Sequence, residues 1–215
     1  MIKVLIADDE DLIRSGLRTI LASAGDIEVV AECDDGVQVA DLVRLHRPAV
    51  VLLDIRMRTC DGLDALRALM ALPEPPAVSM MTTFDVDEYV REALRIGANG
   101  FLLKDTEPAH IIKAVRDLAT GGAVLDPKVA ARVVTTVADG ARAAEPARQL
   151  LSTLSDRELE VVGLVGHGLS NAEIGQQLHL SEATVKGYVS AVLGKIGAVN
   201  RVQAALVAYR GGLIA

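Results

Sequence analysis

Residues 49–54 read Ala-Val-Val-Leu-Leu-Asp, an unbroken apolar run that ends in a carboxylate. A short run without alternating polar residues is typical of a strand buried on both faces of a parallel sheet. In open parallel sheets, functional groups collect at the carboxyl ends of the strands, and Asp54 stands at such an end. The run therefore predicts an α/β domain and marks Asp54 as a candidate functional residue.

Four similar runs surround this segment and alternate with stretches of helical period. The five predicted strands are Ile2–Ala7, Ile27–Ala31, Ala49–Leu53, Ala77–Met81 and Gly100–Leu103. The predicted helices cover about Leu12–Ala24, Gly36–Leu45, Gly62–Leu72, Val86–Ile96 and Pro108–Thr120. Strict alternation of strand and helix favours a single doubly wound α/β domain over residues 1–121.

The length of 215 residues leaves room for a second domain. The sequence is 51% hydrophobic but only 2% aromatic, so the cores must be built from aliphatic side chains. No apolar run approaches the roughly 18 residues that span a bilayer. The two cysteines, Cys33 and Cys60, predict neither a disulfide framework nor a zinc site. We therefore expect a cytoplasmic protein without a membrane partner.

The second half reads as a linker followed by helices. Gly121-Gly122 closes the last helix of the first domain, and residues 122–151 are interpreted as a linker with one helix at about 127–139. Residues 152–215 are predicted to form a four-helix, all-α domain. Ser155 and Glu158 predict a capping box at its start. Two of its helices, joined by His179-Leu180, form a candidate helix-turn-helix.

The ends of the predicted strands carry an acidic constellation. Asp8-Asp9 follow the first strand, Asp54 the third, Thr82-Thr83 the fourth and Lys104 the fifth. Converging carboxylates repel unless a cation lies among them, and Mg²⁺ suits a few carboxylates together with a phosphate. Asp54, on the central strand, is then the expected nucleophile, forming an acyl phosphate. Lys104 and Mg²⁺ would neutralise the transferred oxygens, and the Thr82 hydroxyl would donate to them.

Residues 1–121 resemble the receiver domain of bacterial response regulators. The resemblance is carried by Ala7-Asp8-Asp9-Glu10, Leu53-Asp54-Ile55-Arg56-Met57, Asp61-Gly62, Met81-Thr82-Thr83-Phe84 and residues 97–105. It implies a flavodoxin-like five-stranded parallel sheet of order 2-1-3-4-5 and phosphorylation of Asp54 by a sensor histidine kinase. It also implies that Asp9, Asp54 and the backbone carbonyl of Arg56 hold Mg²⁺, with Asp8 close by through water. Thr82 and Phe101 would be the switch pair. Arg58 stands where the family usually has a proline.

Charge separates the two halves of the chain. The net charge is -7, yet residues 1–121 carry 13 Lys and Arg against 21 Asp and Glu, whereas residues 152–215 carry five of each. No acidic residue follows Glu182, while Lys186, Lys195, Arg201 and Arg210 do. The basic end with its candidate helix-turn-helix favours a DNA-binding role.

Residues 154–213 are similar to the LuxR-type helix-turn-helix domain of NarL/FixJ-type regulators, through residues 154–161, 168–175, 180–189 and 201–205. The helix that follows Ser181 is the expected recognition helix in double-stranded DNA. Its candidate DNA contacts are Ser181, Thr184, Lys186, Gly187, Tyr188, Ser190 and Lys195. The last helix is expected to join two copies upon activation, through Val202, Ala205, Leu206 and Tyr209.

Three functions remain open at this point. The first is a dimeric transcription regulator that phosphorylation switches on, with no enzyme activity beyond its own phosphorylation and slow dephosphorylation. The second is a DNA-binding regulator that works largely without phosphorylation, because the loop at Arg58-Thr59-Cys60 is altered. The third is a phosphohydrolase with Asp54 as nucleophile. Arg56 disfavours the third, since it occupies the position where such enzymes have an acid to protonate the leaving group.

Overall fold

The computed structural model describes residues 1–83, 87–125 and 144–214, which fall into two compact units. The first unit alternates strands and helices as predicted. Its elements are β1 Ile2–Ala7, α1 Asp11–Ala22, β2 Ile27–Cys33, a 3₁₀ turn Gly36–Gln38 leading into α2 Val39–His46, β3 Val50–Asp54, α3 Gly62–Met70, β4 Ala77–Thr82, α4 Asp87–Ile96, β5 Gly100–Leu103, α5 Pro108–Ala119 and β6 Val124–Leu125.

These strands form one parallel sheet in the order β2-β1-β3-β4-β5-β6. The first five strands follow the order that the resemblance implied. The prediction of five strands is wrong by one, because β6 adds two residues to the edge and pairs Val124 with Gly100 and Leu125 with Phe101. All five residues of β3 are buried, as expected for a central strand.

The two faces of the sheet are covered by different helices. One core cluster covers one face of the sheet. It contains the strand residues that point to this face, such as Val4, and the residues of α1 and α5 that pack on them, namely Leu17, Leu21, Ile111 and Val115. Side chains alternate across a strand, so Leu5 and Leu53 point to the other face. Helix α2 packs against α3, and α3 packs against α4. This arrangement leaves the carboxyl edge of the strands open for loops.

The second unit contains five helices within residues 144–214, namely α6 Ala144–Leu151, α7 Asp156–Gly166, α8 Asn171–Leu178, α9 Glu182–Ile196 and α10 Arg201–Arg210. Four were predicted; α6 lies where an irregular linker was expected. Pro146 stands in its first turn, where a missing N–H costs no hydrogen bond, so it does not prevent a helix. Ala147 and Leu151 of α6 are buried. The predicted helix at about 127–139 lies outside the described residues.

Side-chain caps fix the starts of these helices. Ser155 and Glu158 form the predicted capping box of α7, and Ser170 and Glu173 form a second one at α8. Their packed faces share one aliphatic core, with Val162, Ile174 and Val185 at its centre. Each cap satisfies backbone N–H groups that a helix leaves free at its first turn.

A tight connection joins α8 to α9. Helix α8 ends at Leu178, and its C-cap residue His179 adopts the left-handed conformation with φ 56° and ψ 42°. A Cβ atom on Gly175 would lie 2.7 Å from the carbonyl oxygen of Leu180, so only glycine allows the turn to approach the helix this closely. The pair α8 and α9 has the helix-turn-helix form that the sequence predicted.

No single described helix is both long and apolar enough to cross a bilayer; α9 and α10 together would pass by length and composition, but they meet at an angle of 63°.

Candidate functional site

The carboxyl ends of four neighbouring strands meet at one cavity of about 230 Å³. Because the strands are parallel, the residues that follow β1, β3, β4 and β5 emerge at the same edge. The cavity is lined by Asp9, Glu10, Asp54, Ile55, Arg56, Thr82, Thr83 and Lys104. The structure therefore brings together most of the polar residues that the sequence placed at strand ends.

One ammonium group lies among three carboxylates at this edge. The Lys104 Nζ atom lies 2.9 Å from Asp8 Oδ2, 2.7 Å from Glu10 Oε1 and 2.9 Å from Asp54 Oδ2. The side chains of Lys104, Asp8 and Asp54 are only 9%, 1% and 6% exposed, respectively. Partial exclusion of water strengthens each of these interactions. One positive charge still leaves the group with an excess of negative charge.

This environment alters the protonation equilibria of Asp54 and Lys104. Burial raises the pKa of Asp54 above its usual range, and the charge of Asp8 raises it further, against the opposing hydrogen bond from Lys104. Burial alone would lower the pKa of Lys104, but its hydrogen bonds to Glu10, Asp8 and Asp54 outweigh that effect and raise it. Lys104 therefore stays charged at neutral pH. The raised pKa of Asp54 reflects chiefly the burial of its carboxylate away from water.

Asp8, Glu10 and Asp54 each offer one carboxylate oxygen, and these oxygens lie within 4.8 Å of one another. Hard oxygen donors at this spacing are the ligands that Mg²⁺ takes in proteins. Asp8 Oδ2 is buried and already lies 2.9 Å from the Lys104 ammonium group. One ammonium group does not balance three carboxylates, so this group attracts a further cation. The residues present thus fit a divalent cation.

Glu10 was not among the predicted ligands. Its backbone N–H donates to Asp8 Oδ1 at 2.9 Å, which turns the chain so that the Glu10 side chain reaches Lys104. The unbroken acidic run of residues 8–11 was the only signal of it in the sequence. Asp9 lines the cavity, but its carboxylate is outside the converging group and lies 3.7 Å from the Nε atom of Arg58. Arg56, whose carbonyl was predicted as a ligand, also lines the cavity.

The predicted switch residues occupy different surroundings. Thr82 is 4% exposed at the cavity wall, and its hydroxyl donates to the carbonyl oxygen of Thr83 at 2.8 Å. Phe101 is completely buried within β5 and is not part of the cavity wall. In this state Phe101 is a core residue. The structure therefore places only Thr82 of this pair beside the acidic group.

The second candidate site is the outer face of α9. Lys186, Gly187 and Ser190 are exposed on it, whereas Tyr188 is partly buried against the domain core. Ser181 and Thr184 are exposed but also build the helix start, since the Ser181 hydroxyl accepts from the Thr184 N–H at 3.1 Å and the two hydroxyls lie 2.8 Å apart. These residues form a small polar surface with one exposed lysine at its centre.

Lys195, the other predicted lysine of this helix, is already engaged. Its Nζ atom donates to Glu158 Oε2 at 2.7 Å, and the same oxygen accepts from the Ser155 cap. The contact joins the last turn of α9 to the first turn of α7. Lys195 therefore has a clear structural role within the domain.

The residues predicted for dimer contact differ in their exposure to solvent. Tyr209 is 40% exposed, and Ala205 and Leu206 are partly buried. Val202 is only 3% exposed because α10 packs against α6 and α7. Val202 therefore offers little surface to a second copy, and the dimer contact stays a prediction.

Comparison with known proteins places both units in families. Residues 4–116 match the response regulator receiver domain, and residues 152–208 match the bacterial regulatory proteins of the luxR family. The chain is 37% identical over 213 residues to the uncharacterized transcriptional regulatory protein YxjL of Bacillus subtilis, covering 99% of this chain and 97% of that protein. It is 33% identical over 208 residues to the DNA-binding transcriptional activator DevR/DosR of Mycobacterium tuberculosis, covering 97% and 94%.

Solved structures agree with these relatives. The crystal structure of the response regulator ChrA, from a heme-sensing two-component system, is 35% identical, with a TM-score of 0.54 over 99% of this chain and 98% of ChrA. The receiver domain of NarL from Mycobacterium tuberculosis is 39% identical, with a TM-score of 0.54 over 56% of this chain and 97% of that domain. The chain therefore belongs to the DNA-binding response regulators of bacterial two-component systems, with a receiver domain followed by a LuxR-type helix-turn-helix.

Proposed function

We propose that Asp54 accepts a phosphoryl group from a sensor histidine kinase and that this modification controls dimerisation and DNA binding. The observation that supports the proposal most strongly is the group of Asp54, Asp8, Glu10 and Lys104 in one partly closed cavity. Three carboxylates around a single ammonium group leave an excess of negative charge that a divalent cation can neutralise. A phosphoryl-transfer site needs this concentration of charged groups.

The chemistry uses an Asp54 oxygen as the nucleophile. A bond forms between this oxygen and phosphorus while the bond from phosphorus to the kinase histidine nitrogen breaks, and that nitrogen keeps the electron pair. Lys104 holds the phosphoryl oxygens by its ammonium group, which already touches Asp54. The Thr82 hydroxyl exchanges its bond to the Thr83 carbonyl for one to the phosphoryl group. Such positioning and charge stabilisation lower the barrier to this transfer.

Mg²⁺ is the cofactor that would support this phosphoryl transfer. Asp54, with Asp8, Asp9, Glu10 and the carbonyl of Arg56 as neighbouring oxygen donors, would hold it. When bound, the ion neutralises negative charge on the transferring oxygens. Phe101 would complete the switch by following Thr82, since β5 lies beside β4 in the sheet.

DNA binding is proposed for the outer face of α9. Gly187 and Ser190 would approach base edges, and Lys186, Ser181 and Thr184 would contact phosphates. A surface with so few cations binds weakly alone, so a dimer joined through Leu206, Ala205 and Tyr209 is the natural form on DNA. In this scheme residues 1–121 are the receiver domain, residues 152–215 bind DNA and residues 122–151 connect them. The cytoplasm, where the DNA is, is the proposed location.

The test is phosphorylation of the full chain with Mg²⁺ and a small acyl phosphate donor, followed by intact mass measurement. The expected result is one added phosphoryl group on the wild type and none on Asp54→Asn. Asp64→Asn, an exposed acid on α3, is the matched control and should be modified like the wild type. A wild type that gains no phosphoryl group, or an Asp54→Asn variant that still gains one, would contradict the assignment.

A second candidate is a regulator that binds DNA without needing phosphorylation. Arg58 favours it, because its guanidinium group already supplies a positive charge 3.7 Å from Asp9. Operator affinity measured with and without the phosphodonor separates the two functions. Equal affinities, with Asp54 shown to be modified, would support the second candidate.

A further inference from the structure

The loop between β3 and α3, residues 55–61, forms one wall of the acidic cavity. Ile55 and Arg56 line the cavity, and Arg58 lies beside Asp9. The conformation of this loop therefore decides where a backbone carbonyl and a guanidinium group stand relative to the carboxylates. The loop contains no proline, so its own covalent structure restrains it little.

A carboxylate from a neighbouring loop supplies the missing restraint. Asp35 follows β2, and its Oδ2 atom accepts from the N–H of Thr59 at 2.9 Å. Its Oδ1 atom accepts from the N–H of Cys60 at 3.2 Å and from that of Val37 at 3.1 Å. Bonds from a charged acceptor to backbone donors are stronger than neutral ones. One side chain thus holds the backbone of the 55–61 loop to the turn before α2.

Both sides of this junction are closely packed. A Cβ atom on Gly36 would lie 2.5 Å from the carbonyl oxygen of Cys60 and 3.0 Å from its Sγ atom, so the two backbones are in direct contact there. At the other end, the Gly62 N–H donates to the carbonyl oxygen of Ile55 at 2.8 Å, which closes the loop at its base. Between these two points the bonds from Thr59 and Cys60 to Asp35 fix the course of the chain.

We propose that Asp35 is a positioning residue for the acidic site, holding the 55–61 loop so that Arg56 and Arg58 stay at the cavity edge. Asp35 does not line the cavity itself and acts only through the loop. The inference rests on the proposed function and names a residue outside the site that supports it. Groups that orient a metal site from outside typically change metal affinity by about 10- to 100-fold when removed.

The experiment compares the full-length wild type with Asp35→Ala, Asp35→Asn and Asp34→Ala. Asp34 is the exposed neighbour, so Asp34→Ala removes the same charge and leaves the loop contacts in place. Amide hydrogen exchange at Thr59 and Cys60 reports the restraint without any metal. Titration calorimetry with Mg²⁺ reports the site. Asp35→Ala is expected to speed exchange at both amides and to weaken Mg²⁺ binding about 10-fold.

Asp35→Asn keeps one acceptor oxygen and should lie between Asp35→Ala and the wild type, which guards against a variant that merely unfolds. Asp34→Ala should match the wild type in both measurements. Unchanged exchange in Asp35→Ala would overturn the restraint, and faster exchange with unchanged Mg²⁺ affinity would overturn the positioning role. A wild type that binds no Mg²⁺ would instead overturn the magnesium part of the proposed function, a result clearly distinct from either of these.

Discussion

At the scale of single residues, Lys104 is the side chain that contacts all three converging carboxylates of the site. Its ammonium group is the common partner of Asp8, Glu10 and Asp54, two of which are buried. A buried charge that loses its partner is costly, because water cannot replace the lost interaction. The stability of the receiver domain and the chemistry proposed for its cavity therefore involve the same nitrogen atom.

The first prediction concerns Lys104→Met. We expect it to lower the free energy of unfolding of the receiver domain by about 3 kcal/mol in the absence of metal, because the carboxylates lose their counterion. Millimolar Mg²⁺ should restore part of this loss, since a cation that binds the folded state stabilises it. Urea unfolding with and without Mg²⁺ measures both effects. Equal stability of variant and wild type without metal would show that the ion pairs contribute nothing net.

Glu158 provides a second prediction at this scale. Hydrogen bonds from Lys195 first, and then from Ser155, lower the pKa of Glu158 from 4.5 to about 2. A lowered folded-state pKa gives stability that is fully present above the unfolded pKa and is lost as pH falls from about 4.5 towards about 2. The second unit should therefore lose stability across this acidic window.

Lys195→Met removes the largest cause of that shift, so the variant should show a shallower fall in the free energy of unfolding over the same window. Lys186→Met, which removes an exposed lysine from the same helix, serves as the control and should follow the wild-type pH profile. The profile is measured as the urea midpoint at a series of pH values. Identical profiles for Lys195→Met and the wild type would contradict the role of this ion pair.

At the scale of elements, the sequence predicted most helices and strands but not those that depend on tertiary contact. The buried run Val50–Asp54 could be predicted because it is apolar on both faces. Strand β6 could not, because two residues carry no period and the strand exists only by pairing with β5. Helix α6 was missed because Pro146 reads as a breaker, although the first turn tolerates it.

The residues of the candidate site could likewise be predicted only in part. The strand ends indicated Asp54, Thr82 and Lys104 because parallel strands bring their carboxyl ends together. Glu10 was missed, because it reaches Lys104 only through the local turn made with Asp8. The burial of Val202 could not be predicted, because an apolar residue on this helix fits a dimer surface and a core equally well until packing is known.

Helix α6 gives the prediction at this scale. Leu151 is 7% exposed and belongs to the core of the second unit, so Leu151→Ala should lower its free energy of unfolding by about 2–4 kcal/mol. Gln149→Ala, at an exposed position of the same helix, should change it by less than about 0.5 kcal/mol. Urea unfolding followed by circular dichroism measures both. If the two variants are equally stable, α6 is not part of this core.

At the scale of the whole molecule, the distribution of charge and the form of the second unit constrain how the protein reaches DNA. The acidic first half would be repelled by phosphates, and of the two exposed lysines on α9 one, Lys195, is already paired with Glu158. A single copy therefore gains little from electrostatic attraction. Two copies with α9 in successive major grooves would double these contacts.

This arrangement predicts a strict spacing of the two half-sites. Inserting about 5 base pairs between them turns one half-site to the opposite side of the duplex, so binding of the phosphorylated protein should be lost. Inserting about 10 base pairs returns both half-sites to the same side of the duplex, so the protein should recover part of its affinity for the DNA. Mobility-shift titration on the three DNA duplexes measures this. Equal binding to all three would indicate that the copies bind independently.

The size of the cavity around Asp54 also bears on how long a signal would last. A volume of about 230 Å³ is large enough to hold several water molecules. A phosphoryl group attached to Asp54 would displace several of them, and Thr82 and Lys104 would hold its oxygens from two sides. Few positions would then remain from which water could attack the phosphorus. The cavity walls around Asp54 would thus also set how long a phosphoryl group stays attached to it, and so how long the cell responds to one stimulus.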